Sequence, residues 1–297
     1  MKIVVTGSLG HISKPLTREL VEKGHTVKVV SSSLERKKEI EDAGAEAAIG
    51  TIEDVVFLTE TFAGADVVYC MIPPGGFFDP NHDLITHVNK VTHAYAKAIQ
   101  NAGVKHVIHL SSIGAHMEKN NGILRFHYNA ERIFKELPSD VIIKTVRPVA
   151  FYYNLLGFIP TIKNAGAMIS NYGGGDIIPW VSPYDIAAVV AEEITHPFIE
   201  RKIRYIASQE LTCHDIARVL GTAIGKPDLK WNVISQEQME SVLVGVGMNP
   251  TIAKGVAEMQ ASMHSAELFE DYYRNRPTLS NVKIEDFAKD FAAAFNQ

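Results

Sequence analysis

Cysteine is scarce in this 297-residue chain, which contains only Cys70 and Cys213. Two cysteines this far apart exclude a disulfide framework and match no spacing typical of metal ligands, so we expect both to be buried thiols. The sequence also lacks any apolar run near the ~18 residues that span a membrane. A lone lysine ahead of a short apolar run at the N-terminus does not make a signal peptide. These absences predict a cytoplasmic protein with no membrane segment.

An excess of positive charge is absent as well. The 29 basic and 34 acidic residues are mixed along the chain and give a formal net charge of −5. Binding to a nucleic-acid backbone requires a basic patch, so we expect no direct nucleic-acid ligand. The histidines show no His-x-x-x-His spacing and no carboxylate at ligand spacing, so we expect no metal. His109 falls within a predicted buried strand, where we expect a hydrogen-bonded core side chain.

What the sequence does contain is a regular alternation of strand-like and helix-like segments. Short β-branched runs predict six strands, at residues 3–6, 26–31, 45–49, 66–71, 106–110 and 141–146. Amphipathic segments between them predict five helices, near residues 14–22, 34–43, 55–62, 83–102 and 124–137. Strands that alternate with helices at this spacing predict an α/β fold of the Rossmann type, with a doubly wound parallel sheet.

The pattern changes after about residue 150. We therefore predict a dinucleotide-binding Rossmann domain over residues 1–150 and a smaller, mostly helical C-terminal lobe over residues 151–297. Segments at about 176–196, where Ser182-Pro183-Tyr184-Asp185 starts a helix, are expected to return to the Rossmann core. Within the lobe we predict helices near 213–224, 236–246, 252–263 and 284–295, and short strands near 204–207 and 230–234.

The junction between the first strand and the first helix carries the strongest functional signal. Gly7-Ser8-Leu9-Gly10-His11-Ile12-Ser13 places glycines at the first two positions of a G-x-x-G-x-x-G pattern, with Ser13 at the third. The first glycine permits the turn, and the second lets a pyrophosphate approach the backbone amides at the helix N-terminus. This context predicts a bound dinucleotide, and an ordinary strand-to-helix turn is the alternative.

The end of the second strand indicates which dinucleotide is bound. An acidic residue there would bind the adenosine ribose and repel a 2′-phosphate, but this chain has Ser31-Ser32-Ser33 followed by Leu34-Glu35-Arg36-Lys37. Hydroxyl groups and the Arg36 guanidinium suit a phosphate, so NADP, as NADPH, is preferred and NAD stays an alternative. In a second interpretation, Ser33 caps the next helix and the basic residues form its solvated face.

Several further segments resemble the NmrA-like group of atypical short-chain dehydrogenases/reductases, close to bacterial type 2 NAD(P)H:quinone oxidoreductases and triphenylmethane reductases. The resemblance covers nearly the whole chain and rests on the order and spacing of six motifs: Thr6 to Gly10, Ala65 to Val68 leading to Ile72-Pro73-Pro74-Gly75, Val107 to Ser112, His127 to Glu131, Arg147 to Asn154 and Pro179 to Ala187. Two departures stand out. Relatives often have an arginine near Ser32 and commonly have an aspartate at the position of Thr51.

The resemblance implies which residues form the cofactor site. The pyrophosphate would lie on Gly7, Ser8, Leu9, Gly10, His11 and Ile12. The 2′-phosphate would lie near Ser31, Ser32 and Ser33, and the adenosine near Met71, Ile72 and Pro73. The nicotinamide would be lined by Ser111, Ser112 and the stretch from Pro148 to Phe151.

The residue pair that usually supplies the proton is missing. Typical short-chain reductases use Tyr-x-x-x-Lys on the helix after the fifth strand, whereas this chain has His127-Tyr128-Asn129-Ala130-Glu131-Arg132 there. His127 is either a proton donor or ribose anchor, or a helix-surface residue paired with Glu131. Tyr128 with Arg132 is a weaker alternative, because a guanidinium is bulkier than an ammonium.

An electrophilic acceptor needs less help from the protein than a ketone, so positioning for hydride transfer suffices. We predict an NAD(P)H-dependent oxidoreductase that reduces a quinone or another flat electrophile. The predicted acceptor contacts are Phe77, Phe78, Tyr152 and Asn154. The alternative is a redox sensor of the NmrA type, which binds NADP(H) without turnover and acts on a protein partner. A homodimer is compatible with either function.

Overall fold

A seven-stranded parallel sheet forms the centre of the protein in a computed structural model, which describes residues 1–297. Six strands come from the first half of the chain: β1 (Lys2–Val5), β2 (Thr26–Ser31), β3 (Glu46–Ile49), β4 (Val67–Cys70), β5 (His106–Leu110) and β6 (Ile142–Pro148). Their order across the sheet is β3-β2-β1-β4-β5-β6, and every pairing is parallel. The prediction of a doubly wound, Rossmann-type sheet is confirmed.

Helices cover both faces of this sheet. The first five are α1 (Ser13–Glu22), α2 (Lys37–Asp42), α3 (Val55–Phe62), α4 (Leu84–Asn101) and α5 (Arg125–Lys135). The apolar side chains of α1 and α2 belong to one core cluster, and those of α3, α4 and α5 belong to the other. Because both faces are covered, all four residues of β4 are buried, which explains its continuous apolar run.

The rest of the chain adds two small sheets and seven helices. In one sheet β9 (Ile177–Val181) lies between β7 (Ala150–Phe151) and β11 (Gln209–Thr212), and in the other β8 (Ala167–Ser170) pairs with β12 (Lys230–Val233). The helices are α6 (Ile159–Ala165), α7 (Pro183–Thr195), α8 (Cys213–Ala223), α9 (Gln236–Gly245), α10 (Pro250–His264), α11 (Glu270–Arg274) and α12 (Ile284–Phe295). None of the helices combines the length and the apolar character needed to cross a membrane.

One strand of the C-terminal part joins the main sheet. The sequence predicts a strand near 204–207 within the lobe, but β10 (Lys202–Ile206) pairs in parallel with β6 and becomes the seventh strand. The helix α7 packs against α1 on the same side of this sheet. A local pattern predicts that a strand exists, whereas the sheet edge that it joins depends on distant residues.

A buried ion pair fastens α7 to β6. Lys144 Nζ lies 3.2 Å from a carboxylate oxygen of Glu193, and both side chains are almost completely buried. Lys202 and Arg204, on β10, approach the same carboxylate at 2.7 and 2.8 Å. Burial alone would raise the pKa of Glu193, but hydrogen bonds from Lys202, Arg204 and Lys144 lower it to about 2. The carboxylate therefore stays charged and holds one helix and two strands together.

The two cysteines are buried free thiols, as predicted. Cys70 ends β4 and Cys213 begins α8, so they lie in different parts of the core. Burial raises the pKa of both thiols, which keeps them protonated and unreactive at neutral pH.

Candidate functional site

The carboxyl ends of β1, β2, β4, β5 and β6 meet at one edge of the main sheet. The strand order reverses at β1, which lies between β2 and β4. Such a reversal creates the crevice in which open α/β sheets bind ligands. Five segments implied as the cofactor site therefore come to one edge, at residues 7–12, 31–33, 71–73, 111–112 and 148–151.

The turn after β1 is held tightly against the end of β4. Gly7 has a φ of 88°, a left-handed conformation that favours glycine, and a Cβ built on it would lie 2.2 Å from Cε at the flexible end of Met71. Ser13 Oγ, at the third position of the glycine pattern, donates to the Thr6 backbone oxygen at 3.1 Å. Thr6 Oγ1 accepts from the Met71 amide at 2.8 Å. The turn and the end of β4 thus form one unit.

The four backbone amides that directly precede the first helix, those of Leu9, Gly10, His11 and Ile12, have no acceptor within the chain. They precede α1, which has no side-chain cap and no acidic residue in its first turn. Unpaired amides and the positive end of a helix dipole attract an anion. Because the side chains of Leu9 and Ile12 are buried, these residues offer only their backbone to a ligand. The turn provides the donor set that a pyrophosphate needs.

At the end of β2, neighbouring serines have different roles. Ser31 is buried, and its hydroxyl accepts from Ser8 Oγ at 3.0 Å, which joins the strand to the glycine turn. Ser32 is exposed. Arg36 Nη1 lies 3.5 Å from the Leu9 backbone oxygen, beside the same turn. Ser32 and Arg36 are therefore the polar side chains of this segment that lie free of the bonds that fix Ser31 to the glycine turn.

The structure agrees only in part with the alternative interpretation of this segment, in which Ser33 caps the next helix and the basic residues form its solvated face. Ser33 precedes a short 3-10 turn, but its side chain does not cap it. Arg36 does form an exposed ion pair with Glu39 at 3.4 Å. An exposed pair of this kind is weak, so the guanidinium is readily redirected toward an anion.

The end of β4 is fixed through its backbone. The Met71 backbone oxygen accepts from Thr6 Oγ1 and from the Tyr95 hydroxyl, both at 3.1 Å. The Ile72 side chain is buried, whereas Pro73 is exposed. A contact of Ile72 with adenosine would therefore go through its backbone.

The loop after β5 continues the pairing with β6 beyond the regular strand. The Ser111 amide donates to the Val146 backbone oxygen at 2.8 Å, and the Ile113 amide donates to that of Pro148 at 2.9 Å. Pro148 is buried, while Ser112 and Phe151 are half-buried. These bonds hold the implied nicotinamide residues next to each other.

The C-terminal part reaches the glycine turn through one aromatic contact. The ring centroids of His11 and Tyr153 are 3.7 Å apart, and the rings are inclined by 37°. Both side chains are exposed, as is the neighbouring Asn154. The contact brings the 148–154 stretch beside the predicted pyrophosphate site.

The position of Tyr152 in the structure disagrees with its predicted contact with the acceptor. Its side chain is completely buried and stacks on the rings of Trp180 and Phe287. Its hydroxyl donates to Gln209 Oε1 at 2.7 Å. Tyr152 therefore packs the core of the C-terminal part, and the prediction that it contacts an acceptor is corrected. By contrast, Phe78 is 63% exposed and Phe77 is half-buried.

His127 and Tyr128 have different surroundings on α5. His127 is half-buried, and this burial lowers the pKa of its imidazole to about 3. The ring is therefore neutral at pH 7 and lacks the acidic proton of an imidazolium. It makes no hydrogen bond to Glu131, in contrast to the second sequence interpretation. The Tyr128 hydroxyl accepts from Arg132 Nη1 at 3.0 Å, so that pair does form.

Glu131 belongs instead to a buried polar network. Arg147 donates from Nε and Nη2 to its two carboxylate oxygens at 2.9 and 2.7 Å. Ser111 Oγ donates to the same carboxylate at 2.5 Å. On its other side, Arg147 Nη1 donates to the Tyr205 hydroxyl and to Asp271 Oδ2, both at 3.0 Å. Because the only hydroxyl proton of Ser111 is used, its oxygen is left only as a hydrogen-bond acceptor toward any further partner.

This network is not predicted by any of the sequence motifs. Burial alone would lower the pKa of Arg147, but the ion pair with Glu131 raises it above its ordinary value. The available signal was a charged side chain inside an otherwise apolar strand, which Lys144 and Arg147 both provide in β6. A charged residue is almost never fully buried without a partner.

His109 is buried in β5, as predicted, with its ring centroid 4.6 Å from that of Phe134. Neither ring nitrogen has a hydrogen-bond partner within the protein. The expectation that His109 lies in the core is therefore confirmed, but the expectation that its ring is hydrogen-bonded is wrong. Burial lowers the pKa of His109 to about 4, so this ring is neutral as well.

Comparison with known proteins adds to this geometry. The model of the NmrA-like family matches residues 1–289. The protein belongs to the NmrA-like family. An NAD(P)H azoreductase from Xenophilus azovorans is 26% identical over 297 residues, which cover 99% of each chain. A (4-alkanoyl-5-oxo-2,5-dihydrofuran-3-yl)methyl phosphate reductase from Streptomyces griseus is 26% identical over 76% of this NmrA-like chain and 74% of its own. The family resemblance of the sequence motifs is thereby confirmed.

Solved structures share the fold of this NmrA-like protein. An NADPH-dependent quinone oxidoreductase from Escherichia coli has a TM-score of 0.79 and 17% identity, and the match covers 97% of this chain and 98% of that one. A triphenylmethane reductase from Citrobacter sp., complexed with NADP(H), has a TM-score of 0.74 and 20% identity, with 98% and 99% covered. At these identities, the likeness establishes the fold alone.

Proposed function

We propose that this NmrA-like protein is an NADPH-dependent reductase that transfers hydride to a flat electrophilic acceptor such as a quinone. The observation that carries the proposal is the set of four unpaired amides, at residues 9–12, where the strand order reverses. These amides would hold the pyrophosphate. The names of its relatives, an azoreductase and a furan-derivative reductase, support a reductive activity.

The residues at the end of β2 support NADPH over NADH. Ser32 and Arg36 would contact the 2′-phosphate, and no carboxylate stands there to repel it. NADH stays an alternative, because the arginine that relatives often carry near Ser32 is absent. Bound NADPH supplies a hydride, with two electrons, from its nicotinamide ring.

The protein groups around the implied nicotinamide position would orient the cofactor without supplying a proton. Ser111 offers a hydrogen-bond acceptor, and neutral His127 offers no imidazolium proton. The proton that completes the reduction would therefore come from water. This suits a quinone, since its oxygen becomes basic only after the hydride arrives. Phe77, Phe78 and Asn154 are the proposed acceptor contacts.

Stopped-flow mixing tests the proposal. Purified protein with NADPH is mixed with one acceptor at a time: a naphthoquinone, an azo dye and a cationic triphenylmethane dye. We expect NADPH absorbance to fall faster than in the protein-free control with at least one acceptor. Calorimetry with NADPH accompanies the assay, so that failure to bind is distinguished from failure to react. Binding without accelerated oxidation by any acceptor would count against a reductase.

The second candidate is a redox sensor that binds NADP(H) without turnover and acts on a protein partner. The observation that favours it is the missing proton donor, since α5 carries neutral His127 and a Glu131 engaged by Arg147. A sensor must distinguish the two redox forms. Calorimetric titration with NADP+ and with NADPH provides the test: unequal affinities combined with no turnover support the sensor.

A further inference from the structure

One side chain fastens the loop between β4 and α4 to the C-terminal part. This β4–α4 loop, defined as residues 73–83, contains Phe77 and Phe78. Asn249 lies immediately before α10 and is 5% exposed. Its Nδ2 donates to three backbone oxygens of the loop, at 2.9 Å for Asp79, 3.2 Å for Pro80 and 3.3 Å for His82. Its backbone amide donates to the Phe77 oxygen at 2.9 Å. A single residue therefore engages four carbonyl groups of the loop.

The same side chain also begins α10. Asn249 Oδ1 accepts from the amides of Thr251 and Ile252 at 2.9 and 3.4 Å, which caps the helix. The two ends of the amide thus have separate partners, because its oxygen holds the helix and its nitrogen holds the loop. This division allows the two roles to be separated by substitution.

The helix that carries this contact is seated directly on the segment before α5. A Cβ on Gly122 would lie 1.9 Å from the Gly255 backbone oxygen, and a Cβ on Gly255 would lie 2.5 Å from Ile123 Cγ2. Only glycine permits so close an approach of two backbones. Since α5 begins at Arg125, α10 contacts both the β4–α4 loop and the start of the helix that carries His127.

Apart from the bonds to Asn249, few features of its backbone fix the position of the β4–α4 loop. Gly75 and Gly76 both have positive φ, at 54° and 66°, and glycine has the widest conformational freedom. Within the loop, the His82 ring packs on Gly76 and lies 3.3 Å from the Pro74 backbone oxygen. These internal contacts shape the loop but do not attach it to the rest of the protein. The loop is attached by the bonds from Asn249 and by Phe77, which packs against the core cluster that includes α4.

We propose that Asn249 is a positioning residue, which holds the β4–α4 loop against α10 and thereby sets the width of the acceptor site. The part about the acceptor rests on the proposed function, in which Phe77 and Phe78 contact the acceptor. The part about the loop stands on the hydrogen bonds alone.

Replacement of Asn249 by aspartate separates the two roles. Asn249→Asp keeps an oxygen to cap α10 but has no N–H groups for the loop carbonyls, and its charge repels them. Ser235→Ala is the matched control, because Ser235 caps the exposed helix α9 by accepting from Gln238 and makes no contact with the loop. Asn249→Ser is a second, uncharged variant that retains a capping oxygen.

Hydrogen exchange of the full-length protein, followed by mass spectrometry, reports on the loop. We expect amides of residues 75–83 to exchange at least about tenfold faster in Asn249→Asp and Asn249→Ser than in wild type, and to be unchanged in Ser235→Ala. In the reductase assay, we expect the KM of the acceptor to rise about fivefold in the Asn249 variants, while the affinity for NADPH is unchanged.

The outcomes separate this inference from the proposed function. If the amides of the loop exchange at the wild-type rate in both Asn249 variants, the inference that Asn249 anchors the loop is overturned. Equal acceleration in Ser235→Ala also overturns it, because that result would report a general loosening of the C-terminal part. If wild type shows no turnover with any acceptor, the proposed function and the acceptor part fall together, and the exchange data still decide whether Asn249 anchors the loop.

Discussion

Arg147 and Glu131 form a two-point ion pair beneath α5, with guanidinium-to-carboxylate distances of 2.9 and 2.7 Å. Their side chains are only 5% and 15% exposed. The pair joins β6 to α5, and its carboxylate also orients the Ser111 hydroxyl at the edge where the cofactor is proposed to bind. A structural ion pair thus lies on the helix that carries the Tyr-x-x-x-Lys pair in typical short-chain reductases.

Arg147→Met leaves two carboxylates, those of Glu131 and Asp271, without their buried cation. We expect the free energy of unfolding to fall by about 3–5 kcal/mol, because an uncompensated buried charge is strongly destabilising. Urea denaturation measures the loss. Arg274→Met is the control, since it breaks only an exposed pair with Glu270 and is expected to change stability little. Equal losses in the two variants would contradict a special role for the buried pair.

Glu193 predicts a specific dependence of stability on pH. Its pKa is lowered in the folded protein from the ordinary 4.5 to about 2. A carboxyl with a depressed folded pKa stabilises fully above its unfolded pKa, and this contribution is lost as pH falls through the folded pKa. We therefore expect the stability difference between wild type and Glu193→Gln to be largest above pH 4.5 and to shrink between pH 4.5 and 2. Urea denaturation across this range is the measurement, and a constant difference would argue against the assignment.

Gly7→Ala and Gly24→Ala form a matched pair. The two glycines have similar φ values of 88° and 79°, but a new Cβ meets Met71 Cε at 2.2 Å only at Gly7, and nothing within 4 Å at Gly24. We expect both variants to lose about 1–2 kcal/mol of unfolding free energy from the left-handed backbone. Only Gly7→Ala should also weaken NADPH binding, which fluorescence titration measures. If both variants bind NADPH more weakly, the cause is the general loss of stability and not the position of Gly7 in the turn.

Ser32→Asp tests the basis of cofactor preference. A carboxylate at the end of β2 repels a 2′-phosphate and accepts hydrogen bonds from a ribose hydroxyl. We expect the Kd of NADPH to rise at least about tenfold and that of NADH to stay unchanged or fall. Fluorescence titration with the two cofactors provides its own control, because they differ only in that phosphate. If the affinities for NADPH and NADH change in parallel, the 2′-phosphate does not bind beside Ser32.

His127→Gln tests whether this histidine titrates during the reaction. Burial lowers the pKa of His127 to about 3, so the ring is neutral throughout the range in which an ordinary histidine changes its charge. We expect the rate of hydride transfer to keep the same pH dependence between about pH 5 and 8 after the substitution. Stopped-flow rates across this range are the measurement. If the wild-type rates show an ionisation near neutral pH that is lost in His127→Gln, then His127 acts as an acid in the reaction and this prediction is wrong.

Much of the fold follows from local patterns. The second and fifth strands, Thr26–Ser31 and His106–Leu110, and the helix Val55–Phe62 have the same bounds as predicted. These segments are well predicted because burial on a sheet or along a helix imposes a period on the sequence itself. The same periodicity cannot distinguish adjacent residues in irregular segments. It therefore gave no reason to expect that Tyr152 is buried while Tyr153 is exposed.

The sequence by itself determined the sheet, the glycine turn and the family, since each depends on residues that are close together in the chain. Only the tertiary structure decided that Arg147 pairs with Glu131 and Asp271, that β10 completes the main sheet, and that Asn249 holds a loop about 170 residues earlier. A buried charge or amide must find a partner, but which partner it finds depends on how distant segments pack.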